Sequence, residues 1–200
     1  MARPPKYSSD QIMDAVLSVL RGHRPDEVSV AAVSDVLGAP SGSIYHRFPT
    51  RDALLASVWL RAGERFRASL AEALGIPDPV DAGLAAVRYQ LEWARRRPAE
   101  ARLFLLYDRA ELTNTAWPPQ LLGRATRLAN ELTDALRSVA ARTPGASFAR
   151  VRFALLDVPQ AAIRRAASSG AELDGEAQRL VEETIEVLLA RPEALTRMAS

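Results

Sequence analysis

The chain has 200 residues, of which 48% are hydrophobic and 6% aromatic, and its formal net charge is only +2. It contains no cysteine, which excludes disulfide bonds, thiolate metal sites and cysteine nucleophiles. No apolar run approaches the roughly 18 residues that a membrane-spanning helix needs, and the N-terminal segment lacks the apolar stretch of a signal peptide. These properties predict a cytoplasmic protein with a hydrophobic core and no membrane partner.

Helical periodicity extends along the whole chain, and no alternating pattern is long enough to predict a strand. We therefore predict an all-α protein. Three helices are expected in the N-terminal part: one that begins after Ser8 or Ser9, one that Ser29 caps, and a short one over about 41–48. Gly38 separates the second of these helices from the third.

A long fourth helix is predicted to begin after Thr50 and to end at Gly75. Proline, glycine or both mark the breaks beyond it. Five further helices are predicted there, for a total of about nine, over 79–97, 98–111, 118–142, 148–168 and 174–190. We predict two domains: residues 1–50, extended by the start of the fourth helix to about residue 58, and residues 51–200.

The segment SGSIYHRF (41–48) carries the strongest functional pattern. A helix, a tight turn with glycine and a short second helix form the helix-turn-helix signature. Ile44 and Phe48 lie four residues apart, so they share one face of the short helix. That face is predicted to dock on apolar residues of the preceding helix, namely Val33, Val36 and Leu37. The opposite face is then free, and its small first residues allow a close approach to DNA.

Such a motif reads base edges with the first residues of its short helix, while phosphate contacts fix the register. The predicted DNA-binding residues are Lys6, Ser29, Ser41, Gly42, Ser43, Tyr45, His46, Arg47 and Arg51. In this set, Arg51 is expected to reach a phosphate from the first turn of the fourth helix. Because charges in the N-terminal three-helix head roughly balance, electrostatic affinity should come from a local patch of Lys6, Arg47, Arg51 and the N-terminal arm.

Residues 29–58, SVAAVSDVLGAPSGSIYHRFPTRDALLASV, resemble the N-terminal domain of the TetR family of bacterial transcriptional repressors. The matching features are the capped second helix, the glycine turn, Tyr-x-x-Phe and the Ser/Thr–basic–acidic start of the fourth helix. The resemblance is close over about residues 9–60 and rests elsewhere on length and helix count. It implies an N-terminal domain that binds operator DNA, and a C-terminal domain that dimerises and holds a small-molecule effector.

Two positions depart from the family pattern. Ala39 and Pro40 stand where Val-Ser or Val-Thr commonly follows the turn glycine, so Ser41 is expected to cap the short helix instead. Arg51 stands where the family often has lysine, which keeps the charge but changes the donor geometry.

The C-terminal half is predicted to supply the effector site. Pro159 lies inside the penultimate helix, where it removes a backbone hydrogen bond and should kink the helix, and a kink can open space in a bundle. An apolar pocket with a few polar groups is the usual small-molecule site. The candidate lining residues are Tyr89, Trp93, Phe104, Tyr107, Trp117, Phe153 and Asp157. The alternative is that these aromatic residues simply fill the core.

The last two predicted helices have wide apolar faces that are rich in small residues. The resemblance implies that they form a four-helix interface in a homodimer. The interface candidates are Leu156, Ile163, Leu180, Val181, Thr184, Ile185 and Leu188. The alternative is that both helices only close the core of a monomer.

The favoured function is a ligand-responsive regulator, acting as a repressor that binds a palindromic operator and is released by its effector. An architectural or constitutive DNA-binding protein would share the head and need no effector. A helical enzyme is disfavoured, because His23 and His46 both lie in the head and no P-loop, G-x-S-x-G or H-E-x-x-H motif is present. We predict no catalytic residue, no metal and no cofactor.

Overall fold

The computed structural model describes residues 7–106, 117–169 and 173–190. Within these ranges the chain is helical and contains no strand, which confirms the all-α prediction. The N-terminal helices are α1 (Ser9–Val19), α2 (Val30–Leu37), α3 (Ser41–Tyr45) and α4 (Arg51–Leu74). The later helices are α5 (Pro79–Arg96), α6 (Pro98–Leu106), α7 (Pro119–Arg142), α8 (Phe148–Arg152), α9 (Val158–Ser169) and α10 (Gly175–Leu189).

A π-helical segment, Phe153–Asp157, joins α8 to α9 in one continuous rod. The described ranges therefore contain nine α-helical rods, the number that the sequence predicts, with one 3-10 turn at Pro25–Glu27. None of the helices in these ranges has both the length and the hydropathy required to cross a bilayer.

Several helix ends follow the predicted capping residues. Ser8 caps α1 in a capping box, in which its Oγ accepts from the Gln11 amide at 3.1 Å and Gln11 accepts from the Ser8 amide at 2.8 Å. Thr50 caps α4 by accepting from the Ala53 amide at 3.0 Å. Gly38 ends α2 with φ of 65°, a left-handed conformation that only glycine adopts without strain.

The chain packs as two compact units. Unit 1 comprises residues 1–63 and 99–125, and unit 2 comprises residues 64–98 and 126–200. The predicted first domain, residues 1–50 extended to about 58, ends close to residue 63, because the first half of α4 contributes its apolar face to the same core as the first three helices. The sequence did not assign residues 99–125 to this unit.

The core of unit 1 lies beneath α3. Buried residues of α1, α2, α3 and α4 form one cluster, and a few residues from the second segment of unit 1 (99–125) complete it. The cluster includes Ile12, Val16, Leu20, Val33, Ile44, Phe48, Leu54, Leu55, Val58, Leu60, Leu103 and Trp117. The predicted docking face of α2 needs one correction, because Val36 is 54% exposed whereas Ser34 is buried.

Unit 2 packs α5 tightly against α10 at Gly83. A Cβ atom at this position would stand 2.5 Å from Leu189 Cδ1, 2.8 Å from Ile185 Cγ2 and 3.2 Å from Leu155 Cδ2. All three neighbouring side chains are buried. The absence of a side chain at Gly83 is therefore what permits this close approach of the two helices.

A chain of polar contacts also ties α10 to α5. Arg88 donates to the two oxygens of Glu182 at 3.0 and 2.8 Å, and this hydrogen bonding lowers the pKa of the Glu182 carboxyl below its ordinary value. Gln178 donates to the same carboxylate at 2.7 Å and accepts from Arg95 at 3.0 Å. Arg95 also donates to the carbonyl of Leu173 at 2.8 Å, just before α10.

We predict that Gly83→Ala destabilises the protein by about 1–3 kcal/mol, because the added methyl group overpacks the contact between α5 and α10. Chemical denaturation measures the change in the free energy of unfolding. Gly175→Ala is the matched control, since a Cβ there meets no atom within 4 Å. Equal unfolding midpoints for Gly83→Ala and the parent would contradict the close packing.

Candidate functional site

Helix α3 is held in place by its own two large apolar residues. It has only five residues, too few to be stable in isolation. Ile44 is fully buried and Phe48 nearly so, and both belong to the core cluster of unit 1. This arrangement confirms the predicted docking face and turns the opposite face of α3 outward.

The outward face of α3 forms a polar edge, which we define as Gly42, Ser43, Tyr45, His46 and Arg47. Gly42, Tyr45 and His46 are exposed, with Tyr45 at 49%, while Ser43 and Arg47 are half-buried. Within the described ranges, the side chains of this edge form no hydrogen bond or ion pair. Their donors and acceptors are thus available to another molecule.

The turn before α3 is braced by contacts that the sequence did not predict. Pro40 occupies the N-cap position, so the expectation that Ser41 caps α3 is wrong. Ser41 is instead the first helical residue, and its hydroxyl lies 3.0 Å from that of the buried Ser34. Tyr7 donates from its hydroxyl to the carbonyl of Gly38 at 2.8 Å. The turn before α3 is therefore held by a hydroxyl of α2, from Ser34, and by the hydroxyl of Tyr7.

Arg51 makes internal contacts that the sequence did not predict. Its Nε donates to the carbonyl of Val28 at 2.6 Å, its Nη1 to Asp52 at 3.1 Å and its Nη2 to the carbonyl of Pro25. All three guanidinium nitrogens are thus occupied within unit 1, and the side chain is largely buried. Arg51 therefore fastens the loop between α1 and α2 to α4, and its contact with a phosphate stays a prediction.

Ser29, Ser41 and Lys6, which are not part of the polar edge, remain candidates for DNA binding. Ser29 caps α2, as predicted, by accepting from the Ala32 amide at 3.1 Å, and it is exposed. Ser41 is half-buried, with its hydroxyl turned toward Ser34. Lys6 lies outside the described residues. The structure does not test contact of any of these residues with DNA.

Sequence reasoning missed Arg61 of α4, which is buried and joins α4 to α1. It donates to Asp10 at 3.0 Å and to Asp14 at 2.6 Å, and also to the Asp10 carbonyl at 3.2 Å. The available signal was the four-residue spacing of Asp10 and Asp14, which puts both on one face of α1.

Several predicted effector residues pack against other aromatic side chains within each unit. In unit 1, Phe104 and Trp117 pack around Trp59, with ring centroids 4.8 and 5.5 Å from it. In unit 2, Tyr89 and Trp93 pack on Phe66, at 6.0 and 4.9 Å. Four of the predicted effector residues thus take part in aromatic packing.

Two of the three remaining effector candidates lie at the surface rather than in a pocket, so their assignment is corrected. Phe153 is 51% exposed and Asp157 pairs with Arg152 at 3.6 Å on the surface. The reason is local, since the rod turns its neighbours Leu155 and Leu156 inward and Phe153 outward. Tyr107 lies outside the described residues.

The predicted dimer residues separate into a buried set and an accessible set. Leu156, Ile163 and Ile185 are buried in the core of unit 2, so they offer no surface to a partner and their assignment is corrected, whereas Val181 is nearly buried but lines a groove between α9 and α10. Leu180 is 57% exposed, and Thr184 and Leu188 are half-buried. Residues four apart share a helix face, so the stripe through Val181 and Ile185 turns inward while the stripe through Leu180 and Thr184 does not.

An apolar groove of about 570 Å³ lies between α9 and α10 beside this accessible set. Its walls combine four alanine residues with larger apolar side chains (Leu173, Leu180 and Val181) and three charged ones (Arg165, Asp174 and Glu176). The lining residues that concern us are Ala161, Ala162, Arg165, Ala166, Glu176 and Ala177. We call this surface the α9–α10 groove.

No protein-family model matches the chain, and no curated protein is similar to it. Solved structures match it over most of its length. FadR from Bacillus subtilis, solved in complex with stearoyl-CoA, has a TM-score of 0.72 at 14% identity, over 92% of this chain and 98% of that one. PfmR, a TetR family regulator from Thermus thermophilus, has a TM-score of 0.69 at 15% identity, over 89% and 96%.

A TetR-like transcriptional regulator from a Rhodococcus species gives the same result, with a TM-score of 0.71 at 20% identity, over 94% of this chain and 100% of that one. The chain therefore has the TetR-family fold, which confirms the fold that the sequence resemblance implied.

We predict that Arg51→Ala lowers the free energy of unfolding by about 1–3 kcal/mol, because two partly buried carbonyls lose a charged donor. Chemical denaturation measures the change. Arg47→Ala is the matched control in the same unit and should stay within about 0.5 kcal/mol of the parent. If the two variants unfold alike, the structural role assigned to Arg51 is incorrect.

Proposed function

We propose that this chain, which has the TetR-family fold, is a ligand-responsive transcriptional repressor that binds a palindromic operator as a homodimer. The observation that carries the proposal is the polar edge of α3. Elsewhere in the head, Arg51 and Arg61 use their donors for internal contacts, whereas the polar edge presents its donors and acceptors outward.

The chemistry of the polar edge suits a duplex. Gly42 and Ser43 are small enough for the start of α3 to approach base edges in a major groove. Tyr45 and His46 supply hydrogen-bonding groups to bases or phosphates, and Arg47 supplies a guanidinium that matches phosphate oxygens. With Arg51 assigned to a structural role, Arg47 becomes the main cation of α3 for phosphate contact.

A second copy of the chain is proposed as the occupant of the α9–α10 groove. Alanine-rich walls allow close helix approach, and the groove carries Arg165 on one helix and Glu176 on the other. In a two-fold interface each surface meets its own copy, so opposite charges on the two helices can pair across the axis. A dimer would place two copies of α3 on half-sites one helical turn, or a multiple of it, apart.

The effector site is proposed to lie in unit 2, around the cluster of Phe66, Tyr89 and Trp93. Aromatic walls with few polar groups are the usual composition of small-molecule pockets. The stearoyl-CoA complex of Bacillus subtilis FadR supports the idea that this fold accommodates a ligand with a long apolar chain. As a protein that reads operator DNA, the chain would act in the cytoplasm.

Selection of bound sequences from random duplex DNA tests the proposal. The expected outcome is an inverted repeat, because a symmetric dimer presents two identical reading surfaces. Ser43→Ala should relax the preference at one position of each half-site. Arg47→Ala should weaken binding to all sequences and reduce the slope of log affinity against log salt by about 1 per subunit.

Arg137→Ala is the matched control for Arg47→Ala, since Arg137 is an exposed arginine of unit 2. It should leave both affinity and salt slope unchanged. Recovery of no preferred sequence, or equal affinity of the Ser43→Ala and Arg47→Ala variants and the parent, would refute the assignment of α3 as the reading helix.

Leu180→Glu tests the dimer surface. The introduced charge would be buried at the proposed interface, so the dimer dissociation constant should rise by at least about tenfold. Analytical ultracentrifugation measures the constant. Phe153→Glu is the control, because Phe153 is comparably exposed and does not line the groove. A Leu180→Glu protein that stays as dimeric as this control would place the interface elsewhere.

A further inference from the structure

The rod formed by α8, the π segment and α9 has a gap in its backbone hydrogen bonding. An α-helix would pair the carbonyl of Leu155 with the amide four residues later, which belongs to Pro159 and has no hydrogen. The π segment ends two residues before this proline, and the Val158 amide donates to the carbonyl of Phe153. The α-helical hydrogen-bond pattern is therefore interrupted just ahead of Pro159, where the sequence predicts a kink, and the Leu155 carbonyl cannot use residue 159 as its donor.

A side chain from α5 supplies that donor. Gln90 is fully buried, and its Nε2 donates to the carbonyl of Leu155 at 2.8 Å and to that of Ala86 at 3.3 Å. Two carbonyl acceptors fix the orientation of the amide, because the reverse orientation would set Oε1 against them. Gln90 therefore ties α5 to the rod at the position where Pro159 interrupts it.

The other end of the same amide lacks a partner. Gln90 Oε1 is buried and accepts no hydrogen bond from any described residue. Val87, Leu91 and Trp93, which lie within three residues of Gln90 on α5, are buried and largely apolar. A buried acceptor without a donor is unfavourable, and such a group in a folded protein requires an explanation.

We propose that Gln90 is the effector-sensing residue, with Oε1 as the acceptor for a hydroxyl or N–H donor of a largely apolar, uncharged effector, and with Nε2 as the tie to Leu155. The inference rests on the proposed function as a ligand-responsive regulator. It adds the chemical class of the effector and the residue through which its presence reaches the rod.

The class follows from what Oε1 and its surroundings accept. An acceptor needs a donor, so a ligand that carries only ether or ester oxygens gains nothing at this atom. An anion would place a charge among buried apolar side chains and beside a second acceptor, which is strongly unfavourable. A molecule with an apolar body and one hydroxyl or amide N–H satisfies both conditions.

The tie to Leu155 provides the route from ligand to dimer. The same rod that Gln90 holds continues into α9, which supplies Ala161, Ala162 and Ala166 to the α9–α10 groove. A ligand that draws the Gln90 amide toward itself weakens the bond to Leu155 and alters the support of that rod. Effector binding would then change the spacing of the two reading heads.

A double-mutant cycle tests the tie without any ligand. Gln90→Met removes the donor, and Pro159→Ala gives residue 159 an amide hydrogen for the Leu155 carbonyl. Chemical denaturation at one fixed subunit concentration measures the unfolding equilibrium constant of all four proteins. Gln90→Met should raise this constant about tenfold more in the parent than in the Pro159→Ala background. The loss of Oε1 is common to both backgrounds and cancels.

A pair of isomeric probes tests the acceptor. Octan-1-ol and heptyl methyl ether contain the same atoms, but only the alcohol carries a donor. In a Trp59→Phe/Trp117→Phe protein, Trp93 is the one remaining tryptophan, so its fluorescence reports binding next to Gln90. The alcohol should act at about fivefold lower concentration than the ether, and Gln90→Met should abolish this preference.

The outcomes separate the inference from the proposed function. Equal effects of Gln90→Met in both backgrounds, equal responses to the isomers, no response to either, or a preference that survives Gln90→Met would each overturn the inference. Binding of the parent to its selected operator, measured without any probe, tests the function independently. Operator binding without coupling or preference refutes only the role of Gln90, whereas absence of operator binding refutes the regulator itself.

Discussion

The burial of Ile44 and Phe48 is the constraint on which the candidate interface depends. A helix of five residues gains too few backbone hydrogen bonds to offset its own ordering, so α3 exists only because these two side chains enter the core of unit 1. The outward direction of the polar edge is a consequence of that burial. The candidate interface therefore requires no intrinsic stability of α3.

The head uses its arginines as internal fasteners as much as surface charges. Arg51 closes the loop between α1 and α2 onto α4, and Arg61 joins α4 to α1 through Asp10 and Asp14. Planar, multi-donor guanidinium groups suit this task, because one side chain satisfies several acceptors at once. Helix α4 is therefore attached to the loop between α1 and α2 by Arg51 and to α1 by Arg61. A displacement of α4 would thus be transmitted to the helices that support α3.

In unit 2 the corresponding organising element is α5. One part of it, at Gly83, permits close packing of α10, and another, at Arg88, pairs with α10 through Glu182. Gln90 contacts the rod at Leu155. Helix α5 thus helps to position both helices that border the α9–α10 groove. It does so through three kinds of interaction: apolar packing, an ion pair and a buried hydrogen bond.

The sequence alone determined the all-α class, the helix boundaries to within a few residues, the Ser29 and Thr50 caps and the docking face of α3, because capping and periodicity are local properties. Only the tertiary structure decided that Val36 is exposed, that Arg51 turns inward and that Gln90 bridges to Leu155. Periodicity says which residues share a face, but the partner of that face comes from distant parts of the chain. For the same reason, long polar side chains such as arginine and glutamine find acceptors that no local pattern reveals.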